Sequence, residues 1–242
     1  INTQSIENFK KIQLDKKRSV CGINKDLRGV ACYLKYALEK EYIKQLPKIL
    51  KFKEPIKPPK YINERDWSKL MELDSLSDWW KDVFTLYRTS GMRRSEPING
   101  YIDGNFLVVS AELSKTKRQL DIYLEDWQVD IVKKIHVARD EHLEKGSKMV
   151  TFKGKFSKTF KDALEDVGIY ENNITKFHCL RDTFAVIRYL ETRDLYKVCK
   201  ELNHTSIKTT EKYAVFSWRR LEQDFKVLVK TNEIVERETM ER

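Results

Sequence analysis

Between residues 5 and 43 apolar side chains recur at intervals of three and four, as in Val30, Tyr33, Leu34, Ala37 and Leu38, and the positions between them are polar or basic. That period places the apolar groups on one face of an α-helix, and the stretch reads as two or three short helices. The pattern breaks in segment 51–60, which holds three of the chain's five prolines and cannot continue a helix. It reads as a semi-rigid linker, so a domain boundary is expected between 50 and 60. Helical spacing resumes behind Asn63 and Asp66, either of which suits a cap for a helix ending near Leu73. It continues from Asp78 to Tyr87, burying Trp79, Val83 and Leu86.

After Arg93 the period shortens to two. Asp103-Gly104 is a hairpin signal, residues 106–109 are a short apolar run, and Leu120, Ile122 and Leu124 alternate with polar residues. A small antiparallel sheet is expected, with residues 114–118 at or near a turn. Helical stripes return at Trp127, Ile131, Ile135 and Ala138, then at Phe156, Phe160, Ala163, Leu164 and Val167, where Gly168 stops the helix. Three more helices are expected within 180–190, 195–202 and 221–229. No repeat or low-complexity tract interrupts this order, and the fold class is mainly α with a small antiparallel β-sheet, an α+β arrangement.

Charge sharpens the division. The 242 residues carry 47 Lys/Arg against 37 Asp/Glu, a net charge of +10. Residues 1–60 hold 15 basic against 6 acidic side chains, and the remainder holds 32 against 31. A basic segment joined to a near-neutral domain suits a nucleic-acid clamp, because cations that neutralise phosphates release condensed counterions. A merely soluble basic helix pair has the same charge. No apolar run approaches the roughly 20 residues that span a bilayer, and no secretory leader begins the chain, so a cytoplasmic protein without membrane contact is expected. The start at Ile1 reads as a trimmed or partial sequence. Cys21, Cys32, Cys179 and Cys199 form no paired motif and read as reduced, partly buried thiols; with only four histidines, neither a metal nor another cofactor is indicated.

Four separated segments together hold the groups that moving a phosphoryl group without metal would need. In the first, a glycine turn precedes Arg93, and Glu96 follows one helical turn later, able to orient the guanidinium. In the second, Lys115 and Lys117 lie in the expected hairpin. The third, His178-Cys-Leu-Arg181, opens a helix with imidazole and guanidinium on one face. The fourth couples His204 near a turn to Tyr213, nine residues on and expected on the next helix. Taken singly, these read as a surface salt bridge, a solvated lysine, a helix-capping histidine and a packed tyrosine.

Residue types, order and gaps together resemble the tyrosine recombinases, the phage-integrase family. That signature is an Arg followed by Glu, a hairpin Lys, a His-x-x-Arg box, then a His and a nucleophilic Tyr. The resemblance covers about residues 63–225; the gap of 23 positions from Arg181 to His204 also matches. It implies that Arg93, Lys115, His178, Arg181, His204 and Tyr213 are catalytic, with Glu96 in support. Lys117, expected two residues along the same strand face, is the alternative to Lys115. Asn203 stands where the family usually has glycine, and Asp182 where it often has histidine.

The resemblance further implies a partial helical core-binding domain over 1–55 and a catalytic domain over 56–242. It implies strand cleavage and rejoining through a 3′-phosphotyrosine, without ATP, metal or other cofactor, by a dimer or tetramer on double-stranded DNA. A type IB-like topoisomerase and a non-catalytic DNA-binding regulator are the alternatives. The stretch 221–242 resembles a C-terminal helix that some recombinases exchange between protomers, or is an ordinary packed helix. The lysine-rich, short-looped chain is also reminiscent of integrases from archaeal viruses and plasmids.

Overall fold

The computed structural model describes residues 1–54, 58–172 and 175–226. The chain divides into two compact units, Ile1–Lys57 and Pro58–Arg242. In the first, α1 (Thr3–Asp15) and α2 (Val20–Glu39) are capped by Asn2 and Ser19, whose side chains accept from Ser5 and Gly22. The expected short helices are thus two, the second of them 20 residues long. Ile6, Ile23 and Leu27 form a small core, backed by Phe9, Ile49 and Phe52. Asn24 pins the segment after α2 from both sides: its amide donates to the Phe52 carbonyl and its oxygen accepts from the Phe52 N–H, both at 2.9 Å.

The second unit opens with α3 (Glu64–Met71), capped by Asn63 through a 2.8 Å bond from the Asp66 N–H, and α4 (Asp78–Ser90). A single turn, α5 (Ser95–Asn99), leads into strands β1 (Tyr101–Asp103), β2 (Phe106–Val109) and β3 (Leu120–Tyr123). They form an antiparallel sheet in chain order, with Asp103 opposite Phe106 and Val109 opposite Leu120. The first turn is therefore Gly104-Asn105, with Gly104 at positive φ, rather than Asp103-Gly104. Helices α6 (Asp126–Glu144), α7 (Met149–Asp166), α8 (Cys179–Thr192) and α9 (Leu195–Glu201) follow. Two 3₁₀ turns, Ile207–Thr209 and Glu211–Tyr213, precede α10 (Trp218–Asp224). The expected helix at 221–229, and the exchanged tail to 242, run beyond residue 226 and outside the described residues.

α4 is the hub of this unit, packing on α8 and α6. Phe84 and Tyr87 on α4 meet Phe160 and Phe177 edge-on, with ring centroids 5.0 and 4.8 Å apart. Such edge-to-face contacts add to the apolar area removed from water. A second core gathers Phe184, Val186 and Leu190 of α8 with Val198, Leu202, Tyr213, Phe216 and Leu221. It is this second core that brings the last candidate segment against the third. Among the described residues no helix is long and apolar enough to cross a membrane.

Candidate active site

The site grows from the C-terminus of α4. Gly91 ends that helix in the left-handed conformation at φ 64°, where a side chain is strained. A Cβ on Gly91 would also lie 2.3 Å from the Phe184 ring. Glycine here thus lets α4 stop hard against α8 and turns the chain so that Arg93 follows at once. Glu96, on the short α5, grips Arg93 twice: one carboxylate oxygen accepts from the Arg93 N–H at 2.6 Å and the other from its guanidinium at 2.8 Å. The carboxylate is almost fully buried and the arginine mostly so. An exposed i, i+3 pair is worth little; this buried one fixes the guanidinium's direction.

Arg181 lies on the first turn of α8 and is 3% exposed. One terminal nitrogen donates to the Gly91 carbonyl at 2.6 Å and the other donates to the Leu202 carbonyl. These acceptors lie two residues before Arg93 and two before His204, so one guanidinium ties together three of the four sequence segments. A guanidinium has five N–H donors, and three remain for another acceptor. Burial, together with the neighbouring Arg93 charge, lowers the Arg181 pKa to about 10, which still leaves it cationic at neutral pH.

His204 follows Asn203, which is left-handed at φ 49°. That conformation explains why asparagine serves at a position where glycine is usual: apart from glycine, it is among the residues that tolerate this region best. The His204 ring meets the Thr210 hydroxyl at 2.9 Å through Nδ1. Burial and the surrounding cations, Arg181 and Arg93 first, depress its pKa to about 4. His178 stands at the N-cap position of α8 without a side-chain capping bond, and its side chain is 56% exposed. Partial loss of water lowers its pKa while Asp182 opposes that shift.

Tyr213 sits on a 3₁₀ turn and not on the expected helix. The β-branched pair Thr209-Thr210, with the Thr210 hydroxyl engaged by His204, disfavours a longer regular helix. The ring is 0% exposed within the second core. Its phenol donates to Asp182 Oδ1 at 2.6 Å, and Lys212 Nζ donates to the same oxygen at 2.9 Å. His178 Nε2 lies 4.0 Å from that same carboxylate oxygen. Burial and the Asp182 charge push the Tyr213 pKa far above the usual tyrosine value.

Arg93, Glu96, His178, Arg181, His204 and Tyr213 therefore converge. Lys115 and Lys117 stand apart: both are exposed in the loop between β2 and β3, not on a strand face, and Lys117 has φ 56°. Among the described residues no hydrogen bond or ion pair links Lys115 to the cluster. Asp182 and Lys212 are the members that sequence reasoning missed. The available signal was position, since Asp182 follows Arg181 directly and lies one helical turn beyond His178.

Comparison with known proteins agrees with this arrangement. The model of the phage integrase family matches residues 60–217. The fold is similar to that of XerH site-specific recombinase bound to a palindromic difH substrate, with TM-score 0.52, 19% identity, and coverage of 69% of this chain and 52% of that one. A lambda integrase dimer bound to a COC′ core site gives TM-score 0.65 and 17% identity over 88% of this chain and 79% of that one. The Tn1549 transposon integrase with transposon right-end DNA gives 0.64 and 11% over 100% and 86%. The chain spans about half the length of the XerH protein it matches. No curated protein matches it in sequence. None of these matches supports an archaeal viral or plasmid kinship. With more than half of its length matched by the family model and its fold shared with these recombinases, the chain belongs to the phage integrase family, the tyrosine recombinases.

Proposed function

We propose that this chain is a site-specific recombinase that cuts and rejoins DNA strands, with Tyr213 as the nucleophile. The observation that carries the reading is the single Arg181 guanidinium bonded to carbonyls beside Arg93 and beside His204, while the adjacent Asp182 holds Tyr213. A phosphodiester repels nucleophiles by its charge, and its transition state spreads more charge over the non-bridging oxygens. Arg93 and Arg181 donate planar, paired hydrogen bonds to those oxygens, and His204 adds another. The Tyr213 oxygen bonds to phosphorus as the bond from phosphorus to the 5′ oxygen breaks. His178 is the candidate acceptor of the phenolic proton once Tyr213 leaves Asp182, and Lys115 supplies a proton to the 5′ oxygen. The products are a 3′-phosphotyrosine and a free 5′-hydroxyl, and the reverse attack by a new 5′-hydroxyl rejoins the strand.

The basic residues 1–55 serve in this reading as part of a core-binding clamp on double-stranded DNA, and the working unit is a dimer or tetramer. XerH and lambda integrase were each captured on DNA, lambda integrase also as a tetramer on a Holliday junction. The decisive test is to trap a denaturation-resistant adduct on nicked suicide DNA. Tyr213→Phe abolishes it in this reading, and an adduct as abundant as that of the unmutated protein rules Tyr213 out. Deleting residues 1–55 weakens binding and flattens the dependence of log affinity on log salt; an unaltered slope removes the clamp.

A further inference from the structure

We infer that Asp182 is a latch that keeps Tyr213 in reserve until DNA arrives. This rests on the reading of Tyr213 as nucleophile, and it concerns a residue at which this chain departs from the family pattern. Attack requires the phenolic oxygen to approach phosphorus on a strand lying over the protein surface. The Tyr213 ring is 0% exposed, buried in the core that also holds Phe184, Leu202 and Phe216, and its hydroxyl is directed at Asp182 Oδ1 at 2.6 Å. The Asp182 carboxylate is itself buried, so its bond to the phenol is little weakened by water. In this position the oxygen is screened from any backbone phosphate.

The means of release is built beside the latch. Lys212 precedes Tyr213, its ammonium bonds the same carboxylate oxygen at 2.9 Å, and it lies 4.6 Å from the centre of the Tyr213 ring. Its side chain is one-third exposed, so a phosphate arriving over the site can draw the ammonium away from Asp182. That exchange moves the neighbouring Tyr213 with it, because both residues belong to one 3₁₀ turn rather than to a long helix with its own ladder of bonds. No bond to phosphorus forms in this step. It only frees the phenol, whose proton then passes to another acceptor during attack.

The test uses two readouts on the whole chain. The first is nitration of Tyr213 by tetranitromethane without DNA, located by peptide mass spectrometry. The second is the single-turnover rate of adduct formation on saturating suicide DNA. Asp182→Ala is expected to raise both by roughly tenfold, the scale of a lost hydrogen bond to a charged group. Asp182→Asn, which keeps volume and one acceptor oxygen, is expected to raise both by less and covers the case in which the alanine variant fails to fold. A merely structural carboxylate would lower the cleavage rate. Unchanged nitration overturns the latch. Raised nitration with slower cleavage also overturns it. Raised nitration with no adduct from any protein, the unmutated one included, upholds the latch and defeats the reading of Tyr213 as nucleophile.

Discussion

Within one centre, the arginines and the tyrosine are held by different kinds of contact. Arg93 is fixed by a buried carboxylate that grips its backbone and its side chain, and Arg181 by two main-chain carbonyls at the ends of different helices. Tyr213 is fixed by one side-chain carboxylate and by ring packing, on a turn three residues long. Groups that stabilise charge act best when they need no reorganisation as charge develops. A nucleophile must instead travel. Lys115 in the β2–β3 loop is a third case, since among the described residues no hydrogen bond or ion pair fixes it to the others.

Arg181→Ala is the most damaging way to probe this contrast. It removes the donor to the phosphate in the proposed reaction and leaves the Gly91 and Leu202 carbonyls without their buried partner. Cleavage is expected to fall by about 10²–10³-fold, and the unfolding free energy by about 1–3 kcal/mol. Arg181→Lys does not rescue, since an ammonium cannot span both carbonyls. Single-turnover cleavage and denaturant unfolding measure the two losses, and a variant with an unaltered rate would refute the role of Arg181.

Lys115→Met separates chemistry from architecture. Cleavage is expected to fall about a hundredfold, while the melting temperature stays unchanged because no fixed contact is lost. A 5′-bridging phosphorothiolate, whose leaving group needs no proton, should restore the rate. If Lys117→Met shows that behaviour instead, the roles of the two lysines exchange.

The smallest effect concerns His204. Its pKa falls from an ordinary value near ~6.5 to about 4 in the fold, so the unfolded chain binds the proton more readily. The folded state is therefore penalised as pH drops from about 6.5 toward 4, and stability is recovered on the way back up. His204→Gln should flatten this part of the melting-temperature profile without abolishing it, since the His178 pKa is lowered too. A slope as steep as in the parent protein would rule out the assigned burial.

Much of this was legible in the chain itself. The apolar stripes of α4, α6, α7 and α8 are long and periodic, and the family-like order of Arg93, His178, Arg181, His204 and Tyr213 matches groups that do meet. What escaped was local geometry. Tyr213 was expected on a helix because spacing cannot reveal that the Thr210 hydroxyl pairs with the His204 ring. Lys115 and Lys117 lie in the β2–β3 loop, in keeping with the turn expected over 114–118, but the strand face expected to carry both is absent because β3 begins only at Leu120. Asp182 was visible only as a departure from a pattern; its bond to a residue 31 positions away depends on how the second core folds back.

Main-chain oxygens are present whatever amino acid carries them, so the anchors of Arg181 do not depend on the chemistry of any side chain. Their requirement is on the path of the backbone, and at Gly91 on the absence of a side chain. A guanidinium held by the backbone in this way can persist while surrounding residues drift, which accords with a shared fold at 11–19% identity.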